Sequence, residues 1–171
     1  MACLRIFLLF ALSLSAWGAD QEKEAARFLS ETFVQEPAAE TLWIVGDLQP
    51  AVRGILERDY PAARVRYWRV GERSVWILDE VGKEMPITVG IAVNNGAVER
   101  MRVLVYRESR GREVMSPAFT AQFPGARLDP ERKLDRRIDG ISGATLSVRA
   151  LNRLARLALL FDRNVAARSR P

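Results

Sequence analysis

Histidine is absent from this 171-residue chain, and its only cysteine is Cys3. Zinc sites built from Cys and His, iron–sulfur clusters and His-ligated haem all lack their ligands. Cys–His and Ser–His–Asp catalysis lack their base. No apolar run reaches the ~20 residues of a comfortable membrane span. The remaining chemical means are carboxylates, hydroxyls, backbone amides and a bound organic cofactor. What is present is ordinary for a globular protein: 49% hydrophobic, 27% charged and 8% aromatic residues. The length suits one domain with a small extension.

The first residues read as a secretory signal. Arg5 gives a positive start, Ile6 to Leu14 is apolar, and Ala16-Trp17-Gly18 places small residues before a cut ahead of Ala19. An uncleaved anchor is the alternative. Removing residues 1–18 takes away Arg5 and no acid, leaving 25 basic and 21 acidic residues, a net charge of +4. The remainder holds no cysteine and hence no disulfide, which suits a bacterial periplasm as well as a cytosol and argues against a small disulfide-stapled secreted domain.

Along the chain, residues 20–36 have helical spacing at Ala26, Leu29 and Phe33, with Pro37 as the stop. Leu42 to Val45 reads as a short strand. Asp47 is placed to cap a second helix with Val52, Ile55 and Leu56 on its buried face, ended by Pro61. The period then changes to two: Val65–Val70 alternates with arginines, and Val75–Leu78 is apolar on both faces. Trp68 and Trp76 fall on these strands, so the tryptophans and tyrosines are read as core. Ile87, Val89, Ile91 and Val93 alternate up to Asn95-Gly96, a strong hairpin signal, and Met101, Val103 and Val105 return. Residues 107–116 read as a polar loop, Pro117–Phe123 as a short helix and 126–141 as a charged loop. A long helix is expected from Ser142 to about Asn164, with a stripe of Val148, Leu151, Ala155, Ala158 and Leu159. Arg149, Arg153 and Arg156 form a second stripe, read as a solvated face or as contacts to an acidic partner or a membrane surface. The fold class that follows is α+β: a mainly antiparallel sheet, N-terminal helices and a long C-terminal helix. The expected divisions are 1–18 signal, 19–80 N-terminal helix/strand region, 81–165 the main domain and 166–171 a disordered tail.

Asp139-Gly140-Ile141-Ser142-Gly143-Ala144-Thr145 lies where the charged loop meets the long helix. Ser142 suits an N-cap, and Gly143 and Ala144 leave the first-turn amides uncovered. Those amides and the positive helix end suit a phosphate, with the Thr145 hydroxyl close by. On these grounds alone an ordinary serine cap is the commoner use of such a run.

The run resembles the flavinylation motif of the covalent FMN-binding domain family, which includes periplasmic subunits of sodium-pumping and Rnf-type respiratory complexes and domains of nitrous-oxide regulators. The family pattern is Asp, two variable residues, Ser or Thr, Gly, Ala, Thr, and this chain meets it at every position. The resemblance covers about residues 85–163, with the hairpin, the Phe119/Phe123/Gly125 segment and the final helix in the family's order. It implies that Thr145 carries FMN through a phosphoester made by a separate flavin transferase from FAD. It also implies that Ser142, Gly143 and Ala144 line the phosphate end and that Asp139 is the motif carboxylate. Glu108-Ser109-Arg110-Gly111 stands where the family often has Glu-Thr-Pro-Gly near the flavin ring. Glu108 and Gly111 match, and the missing proline bears on ring contacts and redox potential rather than on attachment. Ser147, the other nearby hydroxyl, sits about 200° round the helix from Thr145.

The expected function is that of an exported electron-transfer flavoprotein rather than a stand-alone enzyme. It would pass electrons between a membrane donor and a periplasmic acceptor, with the flavin transferase and redox proteins of the membrane or periplasm as partners. Two other readings stay open: a redox-sensing regulatory or interaction module, and a non-covalent binder of a phosphorylated ligand. Export argues against nucleic acid as a partner.

Overall fold

The computed structural model describes residues 3–168, with side chains from Gly18 onward. The expected signal at residues 1–18 therefore lies almost wholly outside the described side chains. Among the residues so described, no helix is long and apolar enough to cross a membrane.

The elements are α1 (Cys3–Thr32), β1 (Glu40–Trp43), α2 (Leu48–Leu56), β2 (Arg64–Val70), β3 (Arg73–Val81), β4 (Pro86–Asn94), β5 (Ala97–Tyr106), a 3₁₀ turn (Arg112–Met115), α3 (Pro117–Thr120) and α4 (Thr145–Arg168). The five strands form one antiparallel meander in the order β1-β2-β3-β4-β5. The α+β class read from the sequence is the class observed.

The sheet is covered on both faces. On one face α4 lays Leu151, Leu154, Ala155, Ala158 and Phe161 over Trp76, Leu78, Ile87, Val89, Ile91 and Val103, with α2 beside it. On the other, Phe28 and Leu29 of α1, with Phe33 just beyond its end, pack on Val75, Ala92 and Leu104. Residues Ile87–Val93 of β4 are consequently buried throughout, although their sequence reads as alternating. Gly90 is required there, because a Cβ would lie 2.9 Å from the Phe28 ring. The sheet also runs across residue 81: β3 and β4 pair from Arg73↔Asn94 to Val81↔Pro86. Residues 19–80 thus supply three strands of the sheet that carries the site.

Several boundaries differ from expectation. The first helix ends at Thr32, not near Pro37, and Phe28 joins Leu29 as its inward residues while Ala26 is exposed. Arg100 Nη2 donates to the Phe28 carbonyl at 3.1 Å and to Thr32 Oγ1 at 2.7 Å, so a guanidinium from β5 closes the helix end. The first strand spans Glu40–Trp43, two residues earlier than expected. The second helix stops at Glu57, at φ 62°, rather than at Pro61, and Asp47 occupies its N-cap position without a side-chain cap bond. The polar stretch 107–116 contains the 3₁₀ turn, pinned by fully buried Val114. The final helix continues through Arg168 instead of stopping near Asn164, so residues 166–168 of the expected tail are helical. Residues 169–171 lie outside the described residues. The Asn95-Gly96 turn forms as read, with φ 52° and 69° joining Asn94↔Ala97.

Candidate functional site

The segment 139–147 forms an open corner at the start of α4. Ile141 to Ala144 is a tight turn, closed by the Ala144 N–H donating to the Ile141 carbonyl at 3.0 Å. Gly143 stands at the third position with φ 80°, the conformation a type II turn needs there. The first bond of the helix runs from the Val148 N–H to the Ala144 carbonyl at 3.0 Å. The N-cap is therefore Ala144, not Ser142. Ser142 is exposed in the turn, and its hydroxyl makes no hydrogen bond among the described residues. The expectation of a serine cap is corrected by two residues, because the turn places Ser142 ahead of the helix axis.

An alanine cap offers no side-chain acceptor. The N–H groups of Thr145, Leu146 and Ser147 consequently have no acceptor among the described residues, leaving orphan donors at the positive end of a 24-residue helix. Nothing lies within 4 Å of where a Cβ would stand on Gly140 or Gly143. Thr145 is exposed and its hydroxyl makes no hydrogen bond among the described residues. Open space, unpaired donors and a free hydroxyl fit a phosphate group on Thr145. Leu146, which the sequence reading did not single out, is 42% exposed beside it and offers apolar surface to a planar ring.

Ser147 is placed differently. It is buried, and its Oγ lies 3.0 Å from the Tyr106 hydroxyl. The Tyr106 hydroxyl also donates to the carbonyl of Arg110. Burial is the main influence holding the Tyr106 phenol above its ordinary pKa, with Ser147 pulling the other way, so it stays a protonated donor. Tyr106 thereby ties the 107–111 loop to the first turn of α4. Gly111 completes the junction: at φ 83°, a Cβ would stand 2.9 Å from the Tyr106 hydroxyl, 3.1 Å from Ser147 Oγ and 3.2 Å from Ala144 Cβ. Tyr106 was missed because no motif letter marks it. Its only signal is its place at the end of the returning strand, two residues before Glu108.

The structure brings Thr145, Ser142, Gly143, Ala144 and Gly111 together and turns Glu108 and Asp139 to other partners. Glu108 Oε1 accepts the N–H groups of Lys83, Glu84 (2.7 Å) and Met85 (3.1 Å), closing the β3–β4 turn over Gly82. Partial burial alone would raise its pKa, but the three amide donors together hold the carboxyl below its ordinary range. Asp139 is exposed and lies 3.7 Å from Arg137, while its N–H donates to Gln122 Oε1 at 2.7 Å. That second bond fixes where the charged loop approaches the α3 segment.

The arginine stripe on α4 is divided. Arg149 is exposed and makes no ion pair among the described residues. Arg153 pairs with Glu57 and lies 3.5 Å from buried Glu80, which Arg58 also holds at 2.6 Å. Arg156 donates to the Arg132 carbonyl, and burial, with Arg153 nearby, lowers its pKa. The reading of a uniformly solvated face is corrected: α2 and the 129–133 loop cover its lower two members.

Residues 82–160 match the family model described as the FMN-binding domain. The match spans β4, β5, the Tyr106–Gly111 loop, the turn at Gly143 and most of α4. No curated protein matches the chain.

Proposed function

From the FMN-binding domain that residues 82–160 form, we propose that this protein carries FMN covalently on Thr145 and works as an electron carrier. The observation that carries the attachment is the contrast between two hydroxyls one half-turn apart. Thr145 is exposed, without a hydrogen bond among the described residues and beside orphan amides, whereas Ser147 is buried against Tyr106.

In this reading the N–H groups at the start of α4 hold the phosphate, and Gly143 leaves room for it. Leu146 and the Arg110–Gly111 backbone border the space open to the ring. Attachment from FAD breaks the pyrophosphate bond, joins the FMN phosphoryl group to Thr145 Oγ and releases AMP. The hydroxyl proton passes to a base that a flavin transferase supplies. Bound FMN provides one- and two-electron chemistry that no side chain here provides. The apolar run and small residues in 1–18 support export, and hence donors and acceptors in the membrane or periplasm.

Co-expression with a flavin transferase tests this reading. The wild-type chain should give a fluorescent band on a denaturing gel, with the FMN mass mapped to the peptide holding Thr145. Thr145→Ala should abolish the band and keep the fold, since alanine favours a helix and the hydroxyl has no partner. A fluorescent Thr145→Ala band, or no band from the wild type, would overturn it.

A further inference from the structure

Arg110, Arg112 and Arg149 surround the start of α4. Arg110 and Arg112 flank Gly111, whose missing Cβ would stand 3.1–3.2 Å from Ser147 and Ala144. Arg149 lies one turn beyond Thr145 on the same side of the helix. All three are exposed, and none makes an ion pair or a guanidinium hydrogen bond among the described residues. Nearby carboxylates do not neutralise them. Glu108 is engaged by three amides and Asp139 lies by Arg137. Glu113 stands on the same loop and makes no ion pair among the described residues. Elsewhere the chain pairs its arginines readily, as with Arg27, Arg73 and Arg100.

We propose that this arginine rim is the docking surface for the electron-exchange partner, and that the partner is a protein meeting it with an acidic face. The inference rests on the reading of Thr145 as the flavin site. Electron transfer falls steeply with distance, so a protein exchanging electrons there must cover the surface around Thr145, where the rim lies. Unpaired arginines are suited to that contact: a guanidinium is weakly hydrated, forks onto carboxylates, and is enriched at interfaces. Their field steers an acidic partner and leaves the contact small and transient.

The primary test uses the full chain purified without the transferase, so it does not depend on flavin loading. An alternating Asp/Glu decapeptide is titrated in while backbone ¹⁵N shifts are followed. Shifts should concentrate at residues 110–112 and 145–149 at about 0.01 M salt, where the Debye length is about 30 Å, and vanish near 1 M, where it is about 3 Å. Arg110→Glu/Arg112→Glu should weaken binding about tenfold or more, within the usual range of electrostatic steering. Arg66→Glu/Arg163→Glu carries the same net charge at exposed, unpaired positions, with Arg163 about 27 Å along α4 from Thr145, and should leave binding at the rim within twofold. Equal weakening by both pairs would reduce the effect to net charge and overturn the proposal. So would shifts at these residues with phosphatidylserine vesicles but not with the peptide.

A second readout uses loaded protein. Reduced flavin gives two electrons to two ferricyanide ions and releases two protons. The Arg110/Arg112 variant should slow this reoxidation about tenfold at low salt, with the Arg66/Arg163 variant unaffected. A chain that takes no flavin fails the attachment reading and leaves the peptide result standing.

Discussion

The Tyr106 hydroxyl lies 3.0 Å from Ser147 Oγ and donates to the Arg110 carbonyl, joining the end of β5, the following loop and the first turn of α4 at one atom. Tyr106→Phe removes both contacts without changing the ring. It should cost about 1 kcal/mol of stability, the usual worth of a partly buried hydrogen bond, and lower flavin labelling by loosening the loop. Ser147→Ala should show a similar loss in urea unfolding yet label at Thr145. If Tyr106→Phe changes neither the urea midpoint nor the labelling yield, the junction has no role.

Ser142 and Gly143 should respond in opposite ways. The Ser142 hydroxyl caps nothing, so Ser142→Ala should shift stability by less than about 0.5 kcal/mol. Gly143 has open space for a methyl group but a φ of 80°, so Gly143→Ala should cost about 1–2 kcal/mol through backbone conformation alone. Chemical denaturation of the two variants checks both, and a loss above 1 kcal/mol in Ser142→Ala would restore the serine cap.

Glu108 acts as a turn closure, and its effect should depend on pH. Its folded pKa is depressed below the ordinary 4.5, burial being outweighed by the three amide bonds. The stability it contributes is present above that unfolded value and is lost as pH falls through the lower, folded one. Glu108→Gln keeps an acceptor for the amides and should flatten that acid limb, with a loss of about 1 kcal/mol at pH 7. Unfolding midpoints measured from pH 3 to 7 test this. Labelling of Thr145 should survive the change, because Glu108 closes the β3–β4 turn and does not reach the start of α4.

Two tyrosines set an alkaline limit. Burial first, then the charges of Asp79 and Glu80, push Tyr60 up to about 12; burial and the 2.7 Å bond to Glu40 do the same for Tyr67. A raised folded pKa means that the folded chain holds its protons longer. The stability from both phenols is complete below pH about 10 and is lost as pH rises toward 12. Tyr67→Phe should remove part of that decline, seen as a shallower fall of the urea midpoint between about pH 10 and 12, while costing about 1 kcal/mol at pH 7 for its hydrogen bond.

Local physics made much of this protein legible in the sequence. Asn95-Gly96 marks a two-residue turn because few other pairs reach two positive φ values cheaply. The Leu151, Ala155 and Ala158 stripe marks α4 because one helical face must be buried. The run Asp139–Thr145 marks the candidate site, since a motif is read in consecutive residues. What depends on distant segments was not legible. Two-sided burial of β4 requires α1 on the back of the sheet. The charges of Arg153 and Arg156 are engaged only because Glu57, Glu80 and the Arg132 carbonyl arrive from elsewhere. Glu108 turns from its own loop to amides 23–25 residues away. Helical periodicity separates Thr145 from Ser147 by direction. Only the packing of Tyr106 and Gly111 decides that Ser147 is buried and hydrogen-bonded while the Thr145 hydroxyl is left free in water, because burial of a polar group demands a partner that sequence spacing does not show.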